Sequence, residues 1–395
     1  MKKGKIKVRS LIKDILILLL LVMCIMQGIM LKVFVFGSDN GIARKSKLKQ
    51  LKTVIDEYYL GEIDEEQLRE YSYKGMIAGL EDPYSVYYTK EEYEDVEESS
   101  EGIFSGVGIV LTQDMETKAI TVVKPMKDGP AQKAGIKAGD ILIKVEGEEI
   151  SSDEDLSSVV SRVKGKEGTK VTLTFSRDGK EKDYTLTRQE IKNPTVEYEM
   201  LENKVGYIKI TEFDEVTVEQ FDDALGQLED NRMKKLVLDL RDNPGGLLDA
   251  VVDIADRILP TGMIVYTEDK NGKKTEYEAK SAECVEQPIA VLLNGNSASA
   301  SEILAGAIQD YKAGTLVGTT SYGKGIVQNI FQLGDGSAIK LTIANYYTPK
   351  GRNIHKKGID PDVEVELKES LKDEIEIKKS EDNQLQEALK VLEKE

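Results

Sequence analysis

Between Val205 and Tyr311 the sequence alternates apolar strand-like runs with segments of helical spacing, and this alternation constrains the fold more than any other feature. Val205 to Ile210, Leu236 to Leu240 and Ile289 to Leu293 read as strands. Phe221 to Leu228, Leu247 to Ile258 and Glu302 to Tyr311 read as helices. Strands that alternate with helices predict an α/β (α+β) core with a substantially parallel sheet. In such sheets reactive groups gather at the C-terminal ends of the strands.

Other stretches follow other rules. From Glu101 to Arg188, short strands are punctuated by glycines: Gly106-Val107-Gly108-Ile109, Ile120 to Val123, Ile141 to Val145, Val171 to Phe175 and Tyr184 to Leu186. Two helical candidates, Pro130 to Ala134 and Leu156 to Val163, lie between them. The pattern predicts a small, partly open barrel closed by helices, and it resembles a PDZ domain. Lys47 to Val96 is acidic and helix-prone and is broken at Pro83. It reads as a helical lead-in that packs on a neighbour or on a second subunit, the latter giving a homodimer. The tail from Lys368 to Glu395 reads as a charged helical run with Leu385, Leu389 and Leu392 on its apolar face.

The start of the chain is membrane material. Six basic residues (Lys2, Lys3, Lys5, Lys7, Arg9, Lys13) precede an apolar run from Ile15 to Leu31. Snorkelling of Lys32 lets the run extend to Phe36, reaching the roughly 20 residues a spanning helix needs. No small-residue cleavage pattern follows, so the segment reads as a retained anchor. The positive-inside bias then places the rest of the chain outside the cell membrane, as a single-pass protein. Residues 1–45 carry +7, and with −17 for the whole chain the remainder holds −24. A domain that acidic repels phosphate backbones and argues against nucleic acid as a partner. Cys24 falls in the anchor and Cys284 stands alone outside it, which leaves no internal disulfide and no cysteine-based metal site. No dinucleotide or P-loop fingerprint appears, so no cofactor is implied. The expected divisions are 1–44 (basic tail and anchor), 45–100 (helical region), 101–190 (PDZ-like), 191–367 (catalytic core) and 368–395 (helical tail).

Three sites near strand ends carry residues suited to acyl transfer. The first is Asn296-Ser297-Ala298-Ser299-Ala300-Ser301-Glu302. Ser299 with Glu302 three positions later reads as a capping box, the commonest role for a serine at a helix start. The same position also offers unpaired N–H groups and the positive end of the helix dipole to a developing oxyanion. These arguments do not choose among Ser297, Ser299 and Ser301. The second site is Gly323-Lys324-Gly325, in the turn between Leu316 to Gly318 and Ile326 to Ile330. A lysine acts as a general base only when neutral, and burial favours that state. Gln328 on the following strand is placed to orient the amine. The third site is Asp242-Asn243-Pro244-Gly245-Gly246, whose backbone could complete an oxyanion hole with the Ala300 amide.

The segment NGNSASASEI (Asn294 to Ile303), followed by YGKGIVQ (Tyr322 to Gln328), resembles the catalytic signature of the carboxyl-terminal processing proteases, tail-specific Ser/Lys peptidases with a PDZ domain. LVLDLRDNPGG (Leu236 to Gly246) and TPKGRNIHKKGIDPD (Thr348 to Asp362) add to the resemblance. It implies a core resembling the crotonase-like fold with an inserted PDZ domain, to which the N-terminal transmembrane helix and helical flanking segments read above are joined. It further implies Ser299 as nucleophile, Lys324 as base 25 residues later and Gln328 in support. Oxyanion donors would come from Ala300 and from Gly245 or Gly246. The loop Gly106, Val107, Gly108, Ile109 would hold the terminal carboxylate of a protein or peptide substrate with a free C-terminus. His355, the only histidine, would be non-catalytic, in keeping with a Ser/Lys rather than a Ser-His-Asp arrangement. The competing reading is a membrane-tethered PDZ scaffold with an inert protease core.

Overall fold

The computed structural model describes residues 42–281, 284–372, 374 and 377–394. They fall into two compact units that divide between Tyr73 and Lys74. The apolar run from Ile15 to Phe36, expected to span a membrane, lies outside the described residues. Among the described residues no helix is long and apolar enough to cross one.

The first unit consists of the helix Ile42–Tyr58 and the start of Glu65–Ala78. Asp64 caps the second helix by accepting the N–H groups of Glu66 (3.0 Å) and Gln67 (2.9 Å). That cap is why the helix starts where it does.

In the second unit a six-stranded sheet runs in the order Val196–Met200, Val205–Ile210, Lys235–Asp239, Ile289–Leu293, Thr315–Gly318, Val363–Glu364. The first pairing is antiparallel and the others are parallel. Side chains alternate between faces. Ile208, Leu236, Leu238, Val291 and Leu293 pack with the helices Glu215–Asp230, Leu248–Ile258 and Ala300–Tyr311. Tyr207, Val237, Ala290, Leu292 and Val317 pack beneath Leu385, Ala388 and Leu392 of the helix Asn383–Lys394. Burial of both faces explains why these strands are apolar at nearly every position. Each buried leucine of that last helix stabilises its docking by about 2 kcal/mol.

The tail was expected to be helical from Lys368. It is not. Up to Asp382 the described residues form only the 3-10 turn Glu369–Leu371. The helix begins where Asp382 Oδ1 accepts the N–H groups of Gln384 and Leu385, both at 3.0 Å. Arg241 reaches the same carboxylate at 2.8 Å and Asp239 at 2.6 Å, tying the helix to the end of the central strand. Burial alone would raise the Asp239 carboxyl, but the guanidinium and the Tyr207 hydroxyl (2.7 Å) hold it below the ordinary range.

A second, antiparallel sheet was not foreseen. It joins Val86–Tyr88, Ala338–Tyr347, Gly262–Asp269 and Lys274–Ala279, with Ile326–Gln332 also on Ala338–Tyr347. Its first strand lies in the lead-in expected to be helical, because the turn at Asp82 to Ser85 feeds an edge strand.

The glycine-punctuated stretch forms a sheet in the order Ile109–Gln113, Ile120–Pro125, Ile141–Val145, Lys170–Arg177, Lys180–Thr187, around a core that includes Val122, Val159, Leu173 and Phe175. The chain enters and leaves it through an antiparallel pair, Ile103–Gly106 with Gln189–Lys192. Gly102 ends the helix Lys90–Glu101 at φ 69°, and its carbonyl accepts the Asn193 N–H at 2.7 Å.

Candidate active site

Three loops meet at the C-terminal ends of the central strands, as the α/β reading requires. Asp242 links two of them, accepting the side-chain amides of Asn294 and Asn296, each at 2.8 Å. Asn243 is fully buried. Its Nδ2 donates to the Ile210 carbonyl (2.9 Å) and its own carbonyl accepts the Ala298 N–H (3.0 Å).

The three serines are not equivalent. Ser297 Oγ donates to the Leu240 carbonyl at 2.8 Å and Ser301 Oγ to the Asn243 carbonyl at 3.1 Å, and both residues are fully buried. Ser299 lines a cleft of about 290 Å³. Its backbone sits at φ 55°, ψ −113°, a conformation that costs a non-glycine residue roughly 1–3 kcal/mol. Its surroundings impose this geometry. The Ser299 N–H donates to Glu302 Oε2 at 2.8 Å, and the Ser299 carbonyl accepts the Tyr346 hydroxyl at 3.0 Å and the amides of Glu302 and Ile303.

Glu302 was read as a helix-capping partner, and it does more. Its fully buried carboxylate also accepts Ser321 Oγ–H (2.6 Å), the Gly323 N–H (2.7 Å) and the Lys324 N–H (2.8 Å). One carboxylate thereby fixes the serine loop and the lysine loop together. The only sequence signal for it was Glu302's spacing from Ser299, which a plain cap shares.

Lys324 lines the same cleft. Among the described residues its Nζ has no carboxylate partner and no hydrogen bond; it stands 5.1 Å from the centre of the Tyr84 ring. Burial pushes this amine below its ordinary value, the like charge of Lys340 pushes it further, and Glu302 opposes both. The glycines beside it are required by close packing. A Cβ on Gly323 would stand 2.9 Å from the amides of Lys357 and Gly358, and one on Gly325 would meet the His355 backbone at 2.6 Å. His355 itself does not line the cleft.

Gln328 lines the cleft but makes no hydrogen bond to Lys324, and its buried Nε2 has no partner. Gly245 and Gly246 separate clearly. The Gly245 amide donates to Asn243 Oδ1 at 2.8 Å. Gly246 lines the cleft and its N–H has no acceptor among the described residues; a Cβ there would meet the Phe213 carbonyl at 2.3 Å. Ala300 opens the helix, where no intrahelical carbonyl reaches its amide. The remaining walls include Val96, Ser99 and Ser100 of the helix Lys90–Glu101.

Away from the cleft, Gly106 ends one strand and Ile109 opens the next, with Val107 and Gly108 (φ 70°) between them. Ile109–Gln113 is an outer strand of its sheet, and the helix Leu156–Val163 packs beside it.

Comparison with known proteins agrees with this layout. Peptidase family S41 matches residues 204–365, a PDZ domain matches 106–187, and the N-terminal domain of the activating protease CtpB matches 37–92. A carboxy-terminal-processing protease of Bartonella bacilliformis is 42% identical over 77% of this chain and 70% of its own length. The carboxy-terminal processing protease CtpA of Bacillus subtilis is 36% identical over 87% and 75%. The crystal structure of a putative S41 protease from Bacteroides fragilis shares the fold, with a TM-score of 0.53 at 16% identity, covering 85% of this chain and 93% of that one. The molecule is therefore a serine protease with an α/β catalytic core and a PDZ domain, and it acts on peptide or protein substrates. The chain belongs to peptidase family S41, among the carboxy-terminal processing proteases.

Proposed function

We propose that Ser299 is the nucleophile and Lys324 the general base of this protease. The observation that carries the assignment is the contrast among the serines: Ser297 and Ser301 give their hydroxyl protons to backbone carbonyls, while Ser299 lines the cleft with an unpaired lysine. Lys324 takes the Ser299 proton as Oγ attacks the scissile carbonyl, then returns it to the leaving amine. The amides of Gly246 and Ala300 receive the oxyanion; Gly245 is excluded because its amide is already held. The unpaired Gln328 Nε2 binds a substrate carbonyl, a role that replaces direct orientation of the lysine.

The PDZ module presents Gly106, Val107, Gly108 and Ile109 to the terminal carboxylate of a substrate, whose tail adds to the outer strand Ile109–Gln113. The core is read as crotonase-like on its parallel strands and their covering helices. The basic flank and apolar run from Ile15 to Phe36 support a single-pass anchor with the protease outside the cell. Exposed Leu48, Leu51, Val54 and Tyr71 support pairing of the N-terminal helices with a second copy of the chain. The inert-scaffold alternative is set aside, since both the serine and the lysine are present in a formed cleft.

The test is cleavage of an unfolded casein by the full-length chain, wild type against Ser299→Ala, Ser297→Ala and Lys324→Ala. Loss of at least about a thousandfold is expected for Ser299→Ala and Lys324→Ala, with activity kept in a folded Ser297→Ala. Wild-type turnover in either dyad variant would sink the assignment. Membrane retention after alkaline washing of cells tests the anchor, and the sedimentation mass of the detergent-solubilised chain tests the dimer.

A further inference from the structure

The amine of Lys324 has one defined wall that comes from neither the serine helix nor its own loop. That wall is the ring of Tyr84, 240 positions earlier in the chain, with its centre 5.1 Å from Nζ. The turn that carries Tyr84 is firmly held. Asp82 accepts Ser85 Oγ–H at 2.6 Å and the Tyr84 N–H at 3.1 Å, and Ser85 Oγ accepts the Thr342 N–H at 3.2 Å. Immediately after it, Val86–Tyr88 pairs with Ala338–Tyr347, bringing Val86 opposite Lys340. The Tyr84 side chain interacts electrostatically with that of Tyr322, and the Tyr322 N–H donates to the Ser297 carbonyl at 3.0 Å. The tyrosine is thus held through its turn, with its ring against the amine.

We propose that Tyr84 is a positioning residue for the general base, its ring face holding the Lys324 amine and stabilising the ammonium formed when that amine takes the Ser299 proton. The inference rests on Lys324 being the base. In the step concerned, the Ser299 O–H bond breaks, its proton goes to Nζ, and Oγ bonds to the substrate carbonyl carbon. Positive charge then appears over a ring whose face is negative. The interaction is stronger in the transition state than in the ground state, so its loss should lower kcat rather than raise KM. The other titratable groups acting on this pair are Lys340 on the neighbouring strand and Glu302 on the serine helix, which act on the amine, and Tyr322, which acts on Tyr84. None of them offers a π face at that distance among the described residues.

The test uses the full-length chain and two readouts: kcat and KM on unfolded casein, and the rate of Ser299 labelling by a fluorophosphonate across pH. Tyr84→Leu, apolar but without the π face, should lower kcat about fivefold at unchanged KM. It should also move the acid limb of labelling to lower pH, because the ammonium has lost a stabilising partner. Tyr84→Phe should stay within about twofold of wild type. Wild-type kcat and an unmoved limb in the leucine variant would overturn the proposal, as would an equal loss in phenylalanine or a loss confined to KM. Should the leucine variant fail to fold, phenylalanines of increasing fluorination at position 84 keep the shape and weaken the ring face; a flat series overturns the proposal and a stepwise fall supports it. Lys324→Ala labelled at the wild-type rate would instead refute the base assignment itself, separating the two failures.

Discussion

The catalytic loops and the PDZ module handle polar groups in opposite ways. Around Ser299 nearly every backbone and hydroxyl group is matched: Ser297, Ser301, Asn243, Glu302 and Tyr346 all have partners, leaving the Gly246 and Ala300 amides, the Lys324 amine and the Gln328 carboxamide open. In the PDZ module a whole strand edge, Ile109–Gln113, is left unpaired on one side. The first region is suited to one reaction geometry. As the proposed capture site, the second would take any extended tail, because backbone pairing is indifferent to side-chain identity.

Variants can break or sharpen that contrast. Glu302→Ala should have the largest effect, leaving four buried or half-buried donors without an acceptor. We expect a loss of about a thousandfold in kcat and on the order of 4 kcal/mol in stability, read by casein cleavage and urea unfolding. Wild-type stability in that variant would show the carboxylate to be a plain cap. Gly246→Ala comes next. Its Cβ collides with the Phe213 carbonyl, so the turn must shift and the proposed oxyanion donor moves; kcat should fall about a hundredfold with the fold retained.

The pH profile supplies a third check. As the proposed base Lys324 must be neutral to act, and burial together with Lys340 holds its proton affinity below the ordinary lysine value of 10.5. Activity should therefore rise with pH through a midpoint below that value, and Lys340→Met should move the midpoint upward. The unfolded chain keeps this proton to higher pH than the folded one, so the group contributes stability that grows as pH rises from the folded midpoint to the unfolded one. The smallest effect is expected in the adaptable region. Gly108→Ala finds ordinary packing space but strains a φ of 70°; KM for tailed substrates should rise about threefold to tenfold while kcat holds. A kcat effect there would mean that the module does more than capture.

What the sequence disclosed follows from the same physics. Strands buried on both faces, such as Ile289–Leu293, leave continuous apolar runs that can be read directly. The antiparallel strands Lys274–Ala279 and Ala338–Tyr347 are largely half-buried or exposed, and their mixed patterns gave no usable period. The choice among three serines was closed to local reasoning. It depends on where the carbonyls of Leu240 and Asn243 lie, more than fifty residues away in the chain. Family resemblance points to Ser299, and the proposal made for it rests on the hydrogen bonds that hold the other two. Tyr84 was invisible because nothing local in its turn points to a lysine 240 residues on.

The shared carboxylate of Glu302 has a consequence for control. Because it grips the main chain of both loops, serine and lysine behave like two teeth cut on one key, and sliding one past the other means tearing four short bonds out of a dry interior. Throttling such an enzyme by misaligning its teeth would be energetically steep. The economical place for a switch is the keyhole, where a tail is let in or kept out.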